Sequence, residues 1–145
     1  MTAQAEGSTA RDRDRVDTAL AGLMDAAGAG PLADAARYAV DAGGKRLRPI
    51  LCIAGYRAVA GPDPVSEPVY RLAAAIELIH TYSLIHDDLP SMDDDDVRRG
   101  RPSTHVAHGV AVATLAAAAL IPLAARVVQE AGTDLGLAGG VLRDL

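Results

Sequence analysis

Six aspartates stand within ten residues, at Asp87, Asp88 and Asp93 to Asp96, and three arginines follow at Arg98, Arg99 and Arg101. Two like charges about 4 Å apart repel by roughly 4 kcal/mol at a surface-like effective dielectric. Carboxylates this dense need positive charge among them. A solvated acidic loop is the bland reading. Hard divalent cations, which take oxygen ligands, are the sharper one. Position favours the cation, because Asp87 and Asp88 close a strongly apolar helical pattern where the macrodipole is already negative. A bound Mg²⁺ cluster would relieve that strain. The neighbouring guanidinium groups suit a phosphate-bearing ligand held by the same metals.

A second signal lies upstream, in Gly43-Gly44-Lys45-Arg46-Leu47-Arg48-Pro49. Two glycines allow close backbone approach, and three cations fall within four residues. This reads either as a basic helix C-cap or as a diphosphate cradle. It is not a P-loop, because Ala39 stands where the first glycine would be. The aspartates do not form an EF-hand loop, since Val97 replaces a ligand and no Gly or final Glu follows. His80 and His86 lie on the helix leading into the aspartates and could face the same pocket, although a lone helical His is more often structural. His105 and His108 are one turn apart, but zinc would need a further close ligand.

The elements that must position these groups are helices. Half of the 145 residues are hydrophobic, mostly Ala, Leu and Val, with no Phe or Trp. Alanine is the best helix former, and no period-2 pattern is strong enough for a strand. The chain reads as a single all-α domain over 11–145, behind a disordered 1–10. Helices are expected over about 11–27, 32–42, 49–60, 67–88 and 104–130, with 89–103 as a loop or distorted turn. In the fourth, Leu72, Ile76, Ile79 and Leu84 recur at helical spacing. Glycine and proline break the chain at 28–31, 43–44, 61–64, 132 and 139–140.

The net charge of −5 argues against a nucleic-acid partner. Cys52 is the single cysteine, which fits a reducing cytoplasm. The N-terminus has no apolar core, and the longest uncharged apolar run, Gly109 to Ala125, falls short of a ~20-residue membrane span. A core helix is expected there.

Together, GGKRLRP (43–49) and IELIHTYSLIHDDLPSMDDDDVRRGRPSTH (76–105), with the spacing between them, closely resemble the trans-isoprenyl diphosphate synthases, or polyprenyl synthetases. The resemblance runs from about Arg37 to Arg126. It implies an all-α isoprenoid-synthase-like bundle around a deep cavity, joining isopentenyl diphosphate to an allylic diphosphate with Mg²⁺. In the family's pattern Asp87 and Asp93 hold the metals, with Asp88 in the same motif. Arg98 contacts the allylic diphosphate. Gly44, Lys45, Arg48, His80 and Arg99 bind isopentenyl diphosphate. Tyr82, with Ser83 beside it, sits where product length is limited, which implies a short product of about C15.

The resemblance covers only the family's N-terminal half. The second aspartate-rich motif has no counterpart, because only Asp134 and Asp144 follow Asp96. Where the family has Gly-Asp before Ala-Leu, Ala117-Ala118 stand here. Half a bundle leaves apolar faces on the fourth and fifth helices open, so a homo- or hetero-oligomer is expected. Three readings follow: a prenyltransferase that needs a partner or dimer, a noncatalytic regulatory subunit of a heteromeric synthase, or a truncated inactive homologue.

Overall fold

A computed structural model describes residues 2–61 and 64–137. The chain order is α1 (Thr2–Ala26), α2 (Pro31–Val40), α3 (Leu47–Ala60), α4 (Glu67–Asp87), β1 (Val97–Arg98), β2 (Arg101–Pro102), α5 (Thr104–His108) and α6 (Val110–Asp134). Helix α4 is the hub and packs against α1, α2, α3 and α6.

The helices form because alanine-rich stretches run uninterrupted between glycine and proline breaks. Pro31 starts α2 at its first turn, where its missing N–H is no loss. On α1, Val16, Leu20 and Met24 recur every four residues and are buried. They meet Ala35, Ala36 and Val40 of α2, Ile53 of α3 and Leu78 of α4 in one core. Small residues set the α4–α6 seam: Ala73 and Ala74 on one side, Ala113, Ala116 and Ala117 on the other, all buried. Ala117 therefore serves as core. Cys52 also packs against the core, and burial pushes its thiol up.

Two expectations are corrected, at α1 and at the fifth helix. Helix α1 extends back to Thr2, so residues 2–10 are helical, Gly7 included; Arg11 Nε donates to the Gly7 carbonyl at 3.2 Å. The recurrence of Leu72, Ile76, Ile79 and Leu84 on α4 does not mark its buried face. Ile76 and Ile79 are 40% and 43% exposed, and the buried stripe is Tyr70, Ala74, Leu78, Thr81 and Ile85. The helix is apolar on more than one face, so periodicity alone could not choose. The fifth helix divides at Gly109, whose φ of 85° ends α5 and starts α6. The expected break at 139–140 lies outside the described residues.

Helix α6 is 25 residues long and, by length and composition, long and apolar enough to cross a membrane. It packs one face on α4 and α2. Its other face leaves Val110, Leu115 and Ile121 exposed.

Candidate functional site: a cationic cleft beside an acidic helix end

The turn from α2 into α3 is built around Arg46. This residue has a left-handed φ of 51° and is 6% exposed. Its guanidinium bonds Asp17 of α1 at 2.8 Å, Glu77 of α4 at 3.0 Å and the Val40 carbonyl at 3.2 Å. Of the three cations in the GGKRLRP segment, this one faces inward. Lys45 and Arg48, on either side of it, are exposed.

The β1–β2 hairpin supplies the other cations. Arg99 and Gly100, at its tip, both have positive φ (54° and 77°), as a tight two-residue hairpin turn requires. That turn sends the two adjacent arginines apart. Arg98 closes on the buried Asp88 through Nε, at 2.9 and 3.0 Å, and through Nη2. The carboxylate holds the Arg98 guanidinium more firmly protonated. Arg99 instead lies flat on Gly44, where an added Cβ would sit 2.9 Å from its Nη1. Gly44 also has φ 144°, so this contact needs glycine twice over.

Gly44, Lys45, Arg48, His80 and Arg99 line one cleft of about 360 Å³, with Arg46, Leu47 and Glu77 completing it. All five residues that the resemblance names for one substrate therefore share a surface, although they come from three separate segments. Burial, then the charges of Arg48, Arg99 and Arg98 around it, hold the His80 imidazole below its ordinary pKa; Glu77 opposes them.

The acidic end of α4 lies seven residues beyond His80. Asp88 is the C-cap of α4. The chain then turns through Pro90 and folds back, so that the Asp93 N–H donates to the Asp87 carbonyl at 2.8 Å. Leu89, buried, anchors this turn, and its carbonyl accepts from Met92 and Asp94. Asp87 is half exposed and lies 3.8 Å from His86 Nδ1, while Asp93 is exposed and makes no ion pair among the described residues. Asp88, by contrast, is spent on Arg98. Among the described residues no three His, Cys, Asp or Glu side chains form a metal-binding group. Asp87 and Asp93 are carboxylates there that Arg98 leaves unpaired, and Mg²⁺ is usually held by one or two carboxylates plus substrate phosphates.

Other candidates divide similarly. Tyr82 is half-buried against the core and pairs its ring with His86 at 5.8 Å. Ser83 donates to the His80 carbonyl at 2.8 Å. His105 is buried with Nδ1 3.0 Å from Ser103 Oγ, and His108 sets an edge against the Tyr38 ring, so the two are not brought together on one ligand.

Sequence reasoning missed the parts that brace the cleft. Tyr38 donates to the Pro102 carbonyl at 2.8 Å, and the Arg101 guanidinium stands 3.7 Å from its ring centroid, tying α2 to the hairpin. The buried Glu77 did have a signal, as an isolated carboxylate inside the apolar run IELIH. Nothing local announced the partner of Arg46.

An all-helical bundle that presents a cationic cleft next to an acidic helix end can hold a polyvalent anion together with a divalent cation. The polyprenyl synthetase family model matches residues 30–138, and the chain belongs to that family. The match extends past Arg126. The chain is 46% identical over 119 residues to the farnesyl diphosphate synthase of Geobacillus stearothermophilus, covering 81% of this chain and 39% of that protein. It is 53% identical over 91 residues to a heterodimeric geranylgeranyl pyrophosphate synthase large subunit of Arabidopsis thaliana, covering 63% of this chain and 23% of that subunit. Among solved structures, the geranyltransferase of Legionella pneumophila superposes with a TM-score of 0.83 at 36% identity, over 92% of this chain and 46% of that one. The chain thus spans less than half the length of these relatives.

Proposed function

We propose that this chain carries the isopentenyl-binding and first metal-binding half of a trans-prenyltransferase site. The reaction would join isopentenyl diphosphate to an allylic diphosphate and give a prenyl diphosphate of about C15–C20. The observation that carries this reading is the shared cleft of Gly44, Lys45, Arg48, His80 and Arg99, to which α4, the helix that ends in Asp87, contributes His80.

Each group then has a task. Lys45, Arg48 and Arg99 neutralise the isopentenyl diphosphate, and His80 donates a hydrogen bond to it. Asp87 and Asp93 would hold Mg²⁺, with Asp88 fixing Arg98 beside them. The bound metal would supply charge stabilisation to the departing allylic diphosphate. Arg98 keeps Nη1 free of Asp88 and presents it to that leaving group. The allylic C–O bond breaks with its electron pair on the diphosphate, and the isopentenyl double bond attacks the resulting cation. A C–C bond forms, and a proton passes to the released diphosphate. Ile76 and Ile79, exposed on α4 below Asp87, would offer the cation an apolar wall, and Tyr82 with Ser83 would bound the product.

The exposed apolar residues of α4 and α6 support a second reading, in which this chain is a noncatalytic subunit that completes its site with a partner. The test is incubation with Mg²⁺, isopentenyl diphosphate and geranyl diphosphate, alone and with a full-length synthase. Product from the chain alone, lost in Asp87→Ala, establishes the first reading. No product alone, with altered product length in the mixture, establishes the second. No effect in either arm overturns both.

A further inference from the structure

Arg46 lies in the segment that supplies the cleft's cations, yet its guanidinium is taken up by the fold. Its Nη1 bonds Glu77 Oε1 at 3.0 Å and reaches the Gly43 carbonyl at 3.5 Å; its Nη2 bonds the Val40 carbonyl and its Nε bonds Asp17. Glu77 is 3% exposed, but it lines the same cleft as His80 and stands one turn before it on α4. Residues three apart on a helix are neighbours. A carboxylate at that spot, left alone, would draw the imidazole and compete with an anionic ligand.

We propose that Arg46 is a positioning residue that sequesters the Glu77 carboxylate from His80, leaving the cleft's positive charge to the ligand. The left-handed backbone at Arg46 is what turns this one guanidinium inward while Lys45 and Arg48 stay outward. A buried network of this kind stands only if every member is satisfied, and here four acceptors meet one guanidinium. Around His80 the facing charges are Arg48 of α3, Arg98 and Arg99 of the hairpin, Lys45 of the loop and Glu77 of α4 itself. The inference rests on the diphosphate-cleft reading for its purpose but not for its test.

That test is an NMR pH titration of His80 in the full chain without any ligand, with the signal assigned by His80→Gln. Arg46→Met should raise the His80 midpoint, since Glu77 then faces the imidazole unpaired, and Arg46→Met/Glu77→Gln should return it to the wild-type position. Affinity for inorganic pyrophosphate, read by calorimetry, should fall about tenfold in the single variant and recover in the double, a change of the order of one charge-assisted contact. If Arg46→Met does not fold by circular dichroism, Arg46→Lys, which keeps the charge but cannot reach four acceptors, should show a smaller upward move. An unmoved midpoint in a folded single variant, or a midpoint still raised in the double, overturns the proposal. Failure of the wild-type chain to bind pyrophosphate would instead overturn the functional reading and leave the titration result standing.

Discussion

The charges paired inside the fold and the charges on the cleft's rim are the same residue types in opposite circumstances. Within the scaffold, Arg46 holds Glu77 and Asp17, Arg98 holds Asp88, and Arg57 and Tyr70 hold the buried Asp12. On the rim, Lys45, Arg48 and Arg99 make no ion pair among the described residues. A buried charge without a partner is costly, so those in the scaffold are neutralised within the fold. A rim charge stays solvated and keeps its pairing capacity for a ligand. Pairing, not residue type, is therefore what separates Lys45, Arg48 and Arg99 from Arg46.

The sharpest way to test this division is to cut a pair from the scaffold. Burial alone would raise the Asp12 carboxyl, but hydrogen bonds from Arg57 and Tyr70 and the Arg57 charge bring it below its ordinary value. Asp12→Ala should cost about 3 kcal/mol in urea unfolding, because it strands Arg57 and the Tyr70 hydroxyl. The sign in pH follows: a lowered carboxylate stabilises the fold above its unfolded pKa near 4 and loses that contribution as pH falls through the folded value. The Asp12→Ala chain should therefore show a flatter acid limb than wild type. Equal acid limbs would place Asp12 among the rim charges.

Gly44 is where scaffold and rim touch. Gly44→Ala should cost about 2 kcal/mol of stability, from its φ of 144°. It should also weaken pyrophosphate binding, since the new Cβ would displace the Arg99 guanidinium that now lies on it. A stability loss with intact binding would mean that Arg99 is not a ligand group.

The sequence made the rim legible and the scaffold obscure, for a physical reason. Rim charges cluster along the chain, because a small polar ligand is gripped by groups carried on a few short segments; GGKRLRP and the stretch from Asp87 to Arg101 announce themselves. Scaffold pairs join distant positions, as Asp12 to Arg57 and Arg46 to Glu77 do, and no local pattern encodes them. The all-helical class followed from alanine content and breakers, and four helix starts fell within two residues of their expected places. The β1–β2 hairpin escaped notice because two-residue strands carry no periodicity. The inward face of α4 escaped because its alanines, not its isoleucines, fit against α6.

On the rim itself the expected effects are smaller and opposite in kind. Lys45→Met and Arg48→Met should leave stability within about 0.5 kcal/mol, as for surface substitutions. Each should lower pyrophosphate affinity about tenfold, near 1.4 kcal/mol. Loss of stability without loss of affinity would show that these cations brace the loop rather than face a ligand.

The smallest effect belongs to His80, which sits between the two sets. Its pKa is lowered by burial and by Arg48, so the unfolded chain binds the extra proton first as pH drops below about 6.5. Stability from this group is present above that value and declines as pH falls through the folded one. A diphosphate in the cleft reverses the balance, because its negative charge favours the imidazolium. Pyrophosphate binding at pH 6 should therefore take up protons from buffer, seen as a dependence of the calorimetric heat on buffer ionisation enthalpy, and His80→Gln should abolish it. Proton uptake that persists in His80→Gln would assign the linkage to the ligand's own phosphates and return His80 to the scaffold.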